Sequence, residues 1–208
     1  MGIVSLSDLD KLFWAGRYCE RARGIYERYV ALPSDGGVRL DFLARLGIDC
    51  NDSSPHIALF GGDGAIVNAL RMWRENVLCL RYVLSCRAVI QAEKAVTECE
   101  EGNFDNLVLR SYAFFGMTED LTFDNTARCC VTAGRMCEKL DLLSRFCEDT
   151  FAAQDALNRL SAACADSPAV QNMISQSALQ LIDGDIRSNN VVTVKSRTPY
   201  LESNNEFS

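Results

Sequence analysis

The sequence predicts an all-α fold: a bundle of five to seven helices followed by a disordered C-terminal tail. Three observations carry this. Apolar residues recur at three- and four-residue steps, as in Ile66, Leu70, Trp73, Val77, Leu80 and Leu84, the spacing that lines one helical face. Four Pro and thirteen Gly in 208 residues leave room for long helices. After Gly184 apolar content drops and Ser and Asn take over, a composition that buries too little surface to order itself.

The first helix opens at Ser5-Leu-Ser-Asp-Leu-Asp10: Ser5 or Ser7 can cap it, and Asp8 and Asp10 complement the positive end of its dipole. It runs to about Leu32 and stops at Pro33-Ser-Asp-Gly-Gly. Residues 33–63 are the least regular part, with a short helix from Val38 to Leu46 ended by Gly47, and His56 to Phe60 readable as an extended piece or a helix start. A long helix is expected from Gly64 to Cys99, broken by Glu100-Glu-Gly-Asn, and another from Phe104 to Phe115, ended by Gly116. Further helices are expected over Asp120–Cys147, Ala152–Cys164 and Pro168–Leu181, with Pro168 in a first turn. Residues 1–183 thus form one helical domain and 184–208 the tail, where only Val191-Val-Thr-Val has strand character.

Composition excludes several classes. A net charge of −7 argues against non-specific nucleic-acid binding, which needs cations to neutralise phosphates. No run reaches the length of a membrane span, and Met1-Gly-Ile-Val-Ser-Leu lacks the basic and apolar regions of a signal peptide. Ten Cys form no CxxC and His56 is the single His, so neither a metal nor a cofactor is expected. Several Cys fall on apolar helical faces, as small buried hydrophobes do in a reducing compartment, so the chain reads as cytoplasmic.

One segment recurs. Ala15-Gly-Arg-Tyr-Cys-Glu-Arg21 returns as Ala133-Gly-Arg-Met-Cys-Glu-Lys139, identical at five of seven positions. Each copy sets an Arg and a Glu three residues apart, one turn of a helix. Arg17 and Arg21 are like-charged neighbours needing a common counter-charge, which Glu20 and, from the partner helix, Glu138 can supply. A third stretch, Arg74-Glu75-Asn76 with Arg81 seven residues after Arg74, also sits in a helix, where Asn is disfavoured unless it bonds something. The candidate ligand-binding set is Arg17, Glu20, Arg21, Arg74, Glu75, Asn76, Arg81, Arg135 and Glu138. Guanidinium suits a carboxylate or phosphate because its planar fork bonds two oxygens at once.

Leu12-Phe-Trp-Ala-Gly-Arg-Tyr-Cys-Glu-Arg-Ala22 resembles the opening motif of the alpha-E family, bacterial helical proteins named for a shared Glu-Arg motif. Trp73-Arg-Glu-Asn-Val77 with Arg81 is similar to its second segment, and Gly134-Arg135 with Glu138-Lys139 to its last, in the same order. Lys139 departs from the family's second Arg, and Gly62-Asp-Gly-Ala65 from its Asn-Pro-Ser-Ser-like cap. The resemblance implies association with ATP-grasp ligases and transglutaminase-like proteins, and hence with peptide formation or tagging.

Three functions stay open. The first is an accessory helical protein of an ATP-grasp peptide-ligase system, binding a peptide, another anionic ligand or the ligase. The second is an enzyme whose Glu20 or Glu138 is a general base, with Arg17 and Arg135 holding an anionic substrate. The third is a structural bundle whose ion pairs set register. Self-association also stays open. His56-Ile-Ala-Leu-Phe-Gly-Gly-Asp-Gly-Ala65 resembles the phosphate-binding turn of the NAD kinase and diacylglycerol kinase superfamily, but that fold needs alternating strands; a glycine-rich cap with Asp63 as N-cap serves the helix directly.

Overall fold

The computed structural model describes residues 4–50, 54–120, 124–146, 150–176, 179–180 and 182–183. Among these the chain is helical, with no strand. The expected tail, with its strand-like 191–194, lies outside the described residues.

Helix α1 (Leu6–Ala31) starts on a capping box. The Ser5 hydroxyl accepts from the Asp8 amide at 3.2 Å, and the Asp8 carboxylate accepts from the Ser5 amide at 2.9 Å. Leu32 turns extended and ends it one residue before Pro33. The segment expected to be least regular holds the short helix read there and a second one. In α2 (Gly36–Leu46), Asp35 caps the start and Gly47, at φ 74°, ends it in the left-handed conformation open to glycine. In α3 (Pro55–Phe60), Ser54 caps the start and Pro55 occupies the first turn, so His56 to Phe60 is helix.

The long helix expected over 64–99 is two. α4 (Ala65–Cys79) and α5 (Cys86–Glu100) are separated by a turn containing neither Gly nor Pro. Four side chains hold that turn. Leu80 and Leu84 are both buried, Tyr82 donates its hydroxyl proton to Asp8 of α1, and Ser85 caps α5 by accepting from the Ala88 amide at 3.2 Å. At the start of α4 the cap is Gly64 rather than Asp63, and it makes no side-chain capping bond. A Cβ at Gly64 would lie 2.4 Å from the Leu59 carbonyl oxygen, so Gly64 serves close backbone packing.

α6 (Leu107–Thr118) carries Gly116 inside it, at an exposed position, instead of stopping there. α7 (Asn125–Phe146), α8 (Thr150–Asp166) and α9 (Pro168–Met173) follow. α1 packs chiefly on α7 and α4, α7 on α8, and α5 bridges α4 and α6. From Thr126 to Phe146 no residue of α7 is exposed, which makes it the central helix. The core beside the crossing is aromatic, with Trp73 of α4 packed edge-on against Phe114 of α6 at 5.2 Å.

Candidate functional site

The recurring heptapeptide is where α1 and α7 cross. A Cβ on Gly16 would lie 2.3 Å from the Val131 carbonyl oxygen, and one on Gly134 would lie 1.9 Å from that of Phe13. Each glycine therefore meets the backbone of the other helix three residues before the other glycine, a local two-fold relation. Only a residue without a side chain admits that approach. One from Gly24 would meet Leu142, eight residues on in both helices, so α1 and α7 run parallel.

The close crossing decides where the charges go. Within each heptapeptide the Arg and Glu do not pair with each other; they pair across. Arg17 Nε donates to Glu138 Oε2 at 3.0 Å, and Arg135 Nε lies 3.5 Å from Glu20 Oε2 as an ion pair without hydrogen-bond geometry. Both glutamates are buried, Glu20 at 1% and Glu138 at 0% of their exposed area, so each carboxylate depends on these cations in place of water.

At the Glu138 centre, Arg21 forks onto the carboxylate, with Nε to Oε1 at 2.6 Å and Nη2 to Oε2 at 3.0 Å. Burial acts to lower the proton affinity of Arg21, and the charge and hydrogen bonds of Glu138 outweigh it, so the guanidinium is held above its ordinary range. Arg17 lies over the Trp14 ring, 5.2 Å from its centre, and Trp14 stacks on Tyr18 at 5.5 Å.

At the Glu20 centre the fork comes from Arg23, a residue absent from the candidate set. It binds both Glu20 oxygens, also bonds Glu27, and donates to the Tyr112 hydroxyl oxygen at 3.2 Å. Burial acts against the Arg23 charge too, and Glu20 again outweighs it and raises its proton affinity. Arg135 donates to Glu119 at 2.5 Å and lies over the Phe115 ring, 4.1 Å from its centre; Arg159 bonds the same Glu119 oxygen at 3.2 Å. Lys139, the counterpart of Arg21, turns away to Asp155 at 3.7 Å. Beneath the crossing, burial pushes the Cys137 thiol up to about 12 and Cys19 higher still, which removes both as nucleophiles.

The middle segment does not join these centres. Glu75 and Arg81 are exposed, Asn76 donates to the Met72 carbonyl of its own helix at 2.8 Å, and Arg74 is half-buried with an unbonded Nε. The expected three-helix constellation is a two-helix one. α4 contributes through another face: Ala65, Asn68, Ala69 and Met72 line a cavity of about 300 Å³ whose floor holds Glu138 and Arg21. Tyr18, Ile25, Leu46, Ile48, Leu142 and the Asp141–Arg145 pair, bonded at 2.7 Å, complete it. A second depression of about 290 Å³, between α7 and α8, reaches Glu119, Arg128 and Arg159 but neither Glu20 nor Arg135. Among the described residues no group of three His, Cys, Asp or Glu side chains is placed to hold a metal ion.

Fold and site together define a helical bundle organised on a duplicated Gly-Arg-Glu crossing, with one of its two buried carboxylates facing a cavity. No family model, curated protein or solved structure matches the chain. Among the described residues no helix is long and apolar enough to cross a membrane.

Proposed function

We propose that the protein is a non-catalytic accessory bundle of an ATP-grasp peptide-ligase system, which binds an anionic ligand, a peptide or a segment of the ligase, at the Glu138 centre. The observation that carries this reading is the cavity floored by Glu138 and Arg21, where a guanidinium already fixed by a buried carboxylate meets open space. Ligand sites commonly pair apolar walls with a few fixed polar groups in this way. The ordered likeness of residues 12–139 to alpha-E segments supplies the partner class. Among the described residues nine cysteines are free and six of them buried, which fits work in the reducing cytoplasm. The test is product yield of an ATP-grasp ligase encoded beside this protein, with and without it, and with Arg21→Gln. The reading expects yield to fall without the protein and with the variant; unchanged yield in both cases refutes it.

A second reading, a structural bundle whose ion pairs set register, draws on the reciprocal glycine contacts and crossed pairs, which need no ligand. Arg17→Lys and Glu20→Gln separate the two: stability falls in either case, and yield is unchanged only if the bundle is structural. The enzyme reading is weaker on this geometry. Both Glu138 oxygens are bonded by guanidiniums, as are both Glu20 oxygens, and a general base needs a free oxygen aimed at its substrate. Turnover by the purified protein alone would restore it.

A further inference from the structure

The two glutamate centres start alike and are completed differently, and the difference identifies what the cavity takes. At the Glu20 centre, each guanidinium meets two resident carboxylates: Arg23 has Glu20 and Glu27, and Arg135 has Glu20 and Glu119. At the Glu138 centre, the one ion-pair partner of Arg21 among the described residues is Glu138, a carboxylate that also serves Arg17. Arg21 uses Nε and Nη2 on it; Nη1 meets no acceptor among the described residues, and the side chain keeps 36% of its accessibility where it lines the cavity. Arg145, on the same wall, is likewise bonded by one carboxylate, Asp141.

Resting on the reading that this centre binds a ligand, we propose that the cavity takes a monocarboxylate on an aliphatic or aromatic body, the chemistry of an apolar residue at the C-terminus of a peptide. The carboxylate fits the outward edge of Arg21, which presents parallel N–H donors to two oxygens. One negative charge is favoured over two, because Glu138 and Asp141 stand in the same wall and repel a dianion such as phosphate. The body fits Ile25, Leu46, Ile48, Ala69 and Leu142, which make most of the remaining wall apolar. Asn68 gives its amide hydrogen to the Asp63 carbonyl at 2.9 Å, which leaves its own carbonyl to accept from a peptide N–H. About 300 Å³ is at the small end for ligand pockets and suits one or two residues rather than a long segment.

The test is isothermal titration of the full chain with N-acetyl-leucyl-leucine, with the same peptide as its C-terminal amide, with 4-methylpentanoate and with inorganic phosphate. The free acid is expected to bind, the amide about tenfold or more weakly, and phosphate not at all. If 4-methylpentanoate matches the peptide acid, the source is a free acid; if it binds more weakly, the source is a peptide, and both outcomes support the carboxylate class. Met72→Trp, at the mouth and outside the ion pairs, should abolish binding of the acid with an unchanged unfolding midpoint. Equal binding of acid and amide, no binding of the acid, displacement by phosphate, or undiminished binding by Met72→Trp each overturns the proposal. A protein that raises ligase yield yet fails these titrations loses this inference and keeps the accessory reading; one that passes them without affecting yield does the reverse.

Discussion

Glu20 divides its carboxylate between Arg23 and Arg135, and those two cations also hold Glu27 and Glu119. Glu138 divides its own between Arg17 and Arg21, and Arg21 turns its free edge to a cavity. The backbone contact beneath them is the same in both directions. Two of the positions that differ carry the change: Arg21, the last of the motif, corresponds to Lys139, and Arg23, just beyond it, to Asp141. Duplicating a glycine crossing duplicates the approach of two helices. It does not duplicate the wiring of the charges, which short substitutions beside the motif redirect. One half is closed by residues of the chain, and the other is left with an unmatched donor edge.

Removing the carboxylates tests that contrast most strongly. Glu138→Gln is expected to destabilise by about 3–4 kcal/mol, since it removes the buried carboxylate that Arg21 forks onto and Arg17 also bonds. Glu20→Gln should cost less, about 2 kcal/mol, because Arg23 and Arg135 retain Glu27 and Glu119. Equal losses in urea unfolding would erase the distinction between the halves. The crossing itself should be symmetric. Gly134→Ala and Gly16→Ala each force a Cβ onto the other backbone and are expected to cost about 2–3 kcal/mol. A loss at only one of them, measured by thermal unfolding, would break the two-fold relation.

A smaller effect comes from Asp8, a carboxylate of α1 outside both centres. Hydrogen bonds from Tyr82 and Ser5 hold its proton affinity below the ordinary aspartate range. A lowered folded-state value means the unfolded chain takes up the proton first. The stabilisation is therefore complete above the ordinary aspartate value and is lost as pH falls through the folded one. Tyr82→Phe should flatten this acid limb in unfolding midpoints taken across acidic pH, and an unchanged limb would refute it. Least of all should Lys139→Ala matter. Its partner Asp155 is half exposed, and the loss should stay within about 0.5 kcal/mol, against a clear loss for Arg21→Ala at the matching position.

The bundle was legible in the spacing of apolar residues, and the crossing in the repeat, because both are local regularities. The pairing across helices was legible in half: Glu138 stood among the expected counter-charges of Arg17 and Arg21, while the pairing of Arg135 with Glu20 had no sign in the sequence. Arg17 and Glu20 are one turn apart, yet the approach at Gly16 and Gly134 brings Glu138 nearer, and that is a property of two helices together. Arg23 was within reach of the same rule, since it stands three residues after Glu20 and four before Glu27. Glu119, at the end of α6, and Arg159, in α8, have no sequence signal tying them to Arg135. The error over Arg74, Glu75 and Asn76 has a rotational cause. α4 turns Ile66, Leu70, Trp73 and Val77 to the core, and the following residues stand about 100° further round. Arg81 fell outside because the helix ends before it, and Ser85 was the sign of that end.

The parallel run of α1 and α7 also sets an order of events. The Arg17–Glu138 bond joins residues 121 positions apart, and α2 to α6 must carry the chain back to the same end before it can close. At ribosomal rates of about 5–20 residues per second, roughly ten seconds separate the two partners. Glu20 already has Arg23 in its own helix when α1 emerges, while Arg17 and Arg21 wait for Glu138. For that interval the N-terminal helix presents its apolar stripe and the cations destined for Glu138 to the cell, and Glu138, the most deeply buried charge among the described residues, is late to find its place.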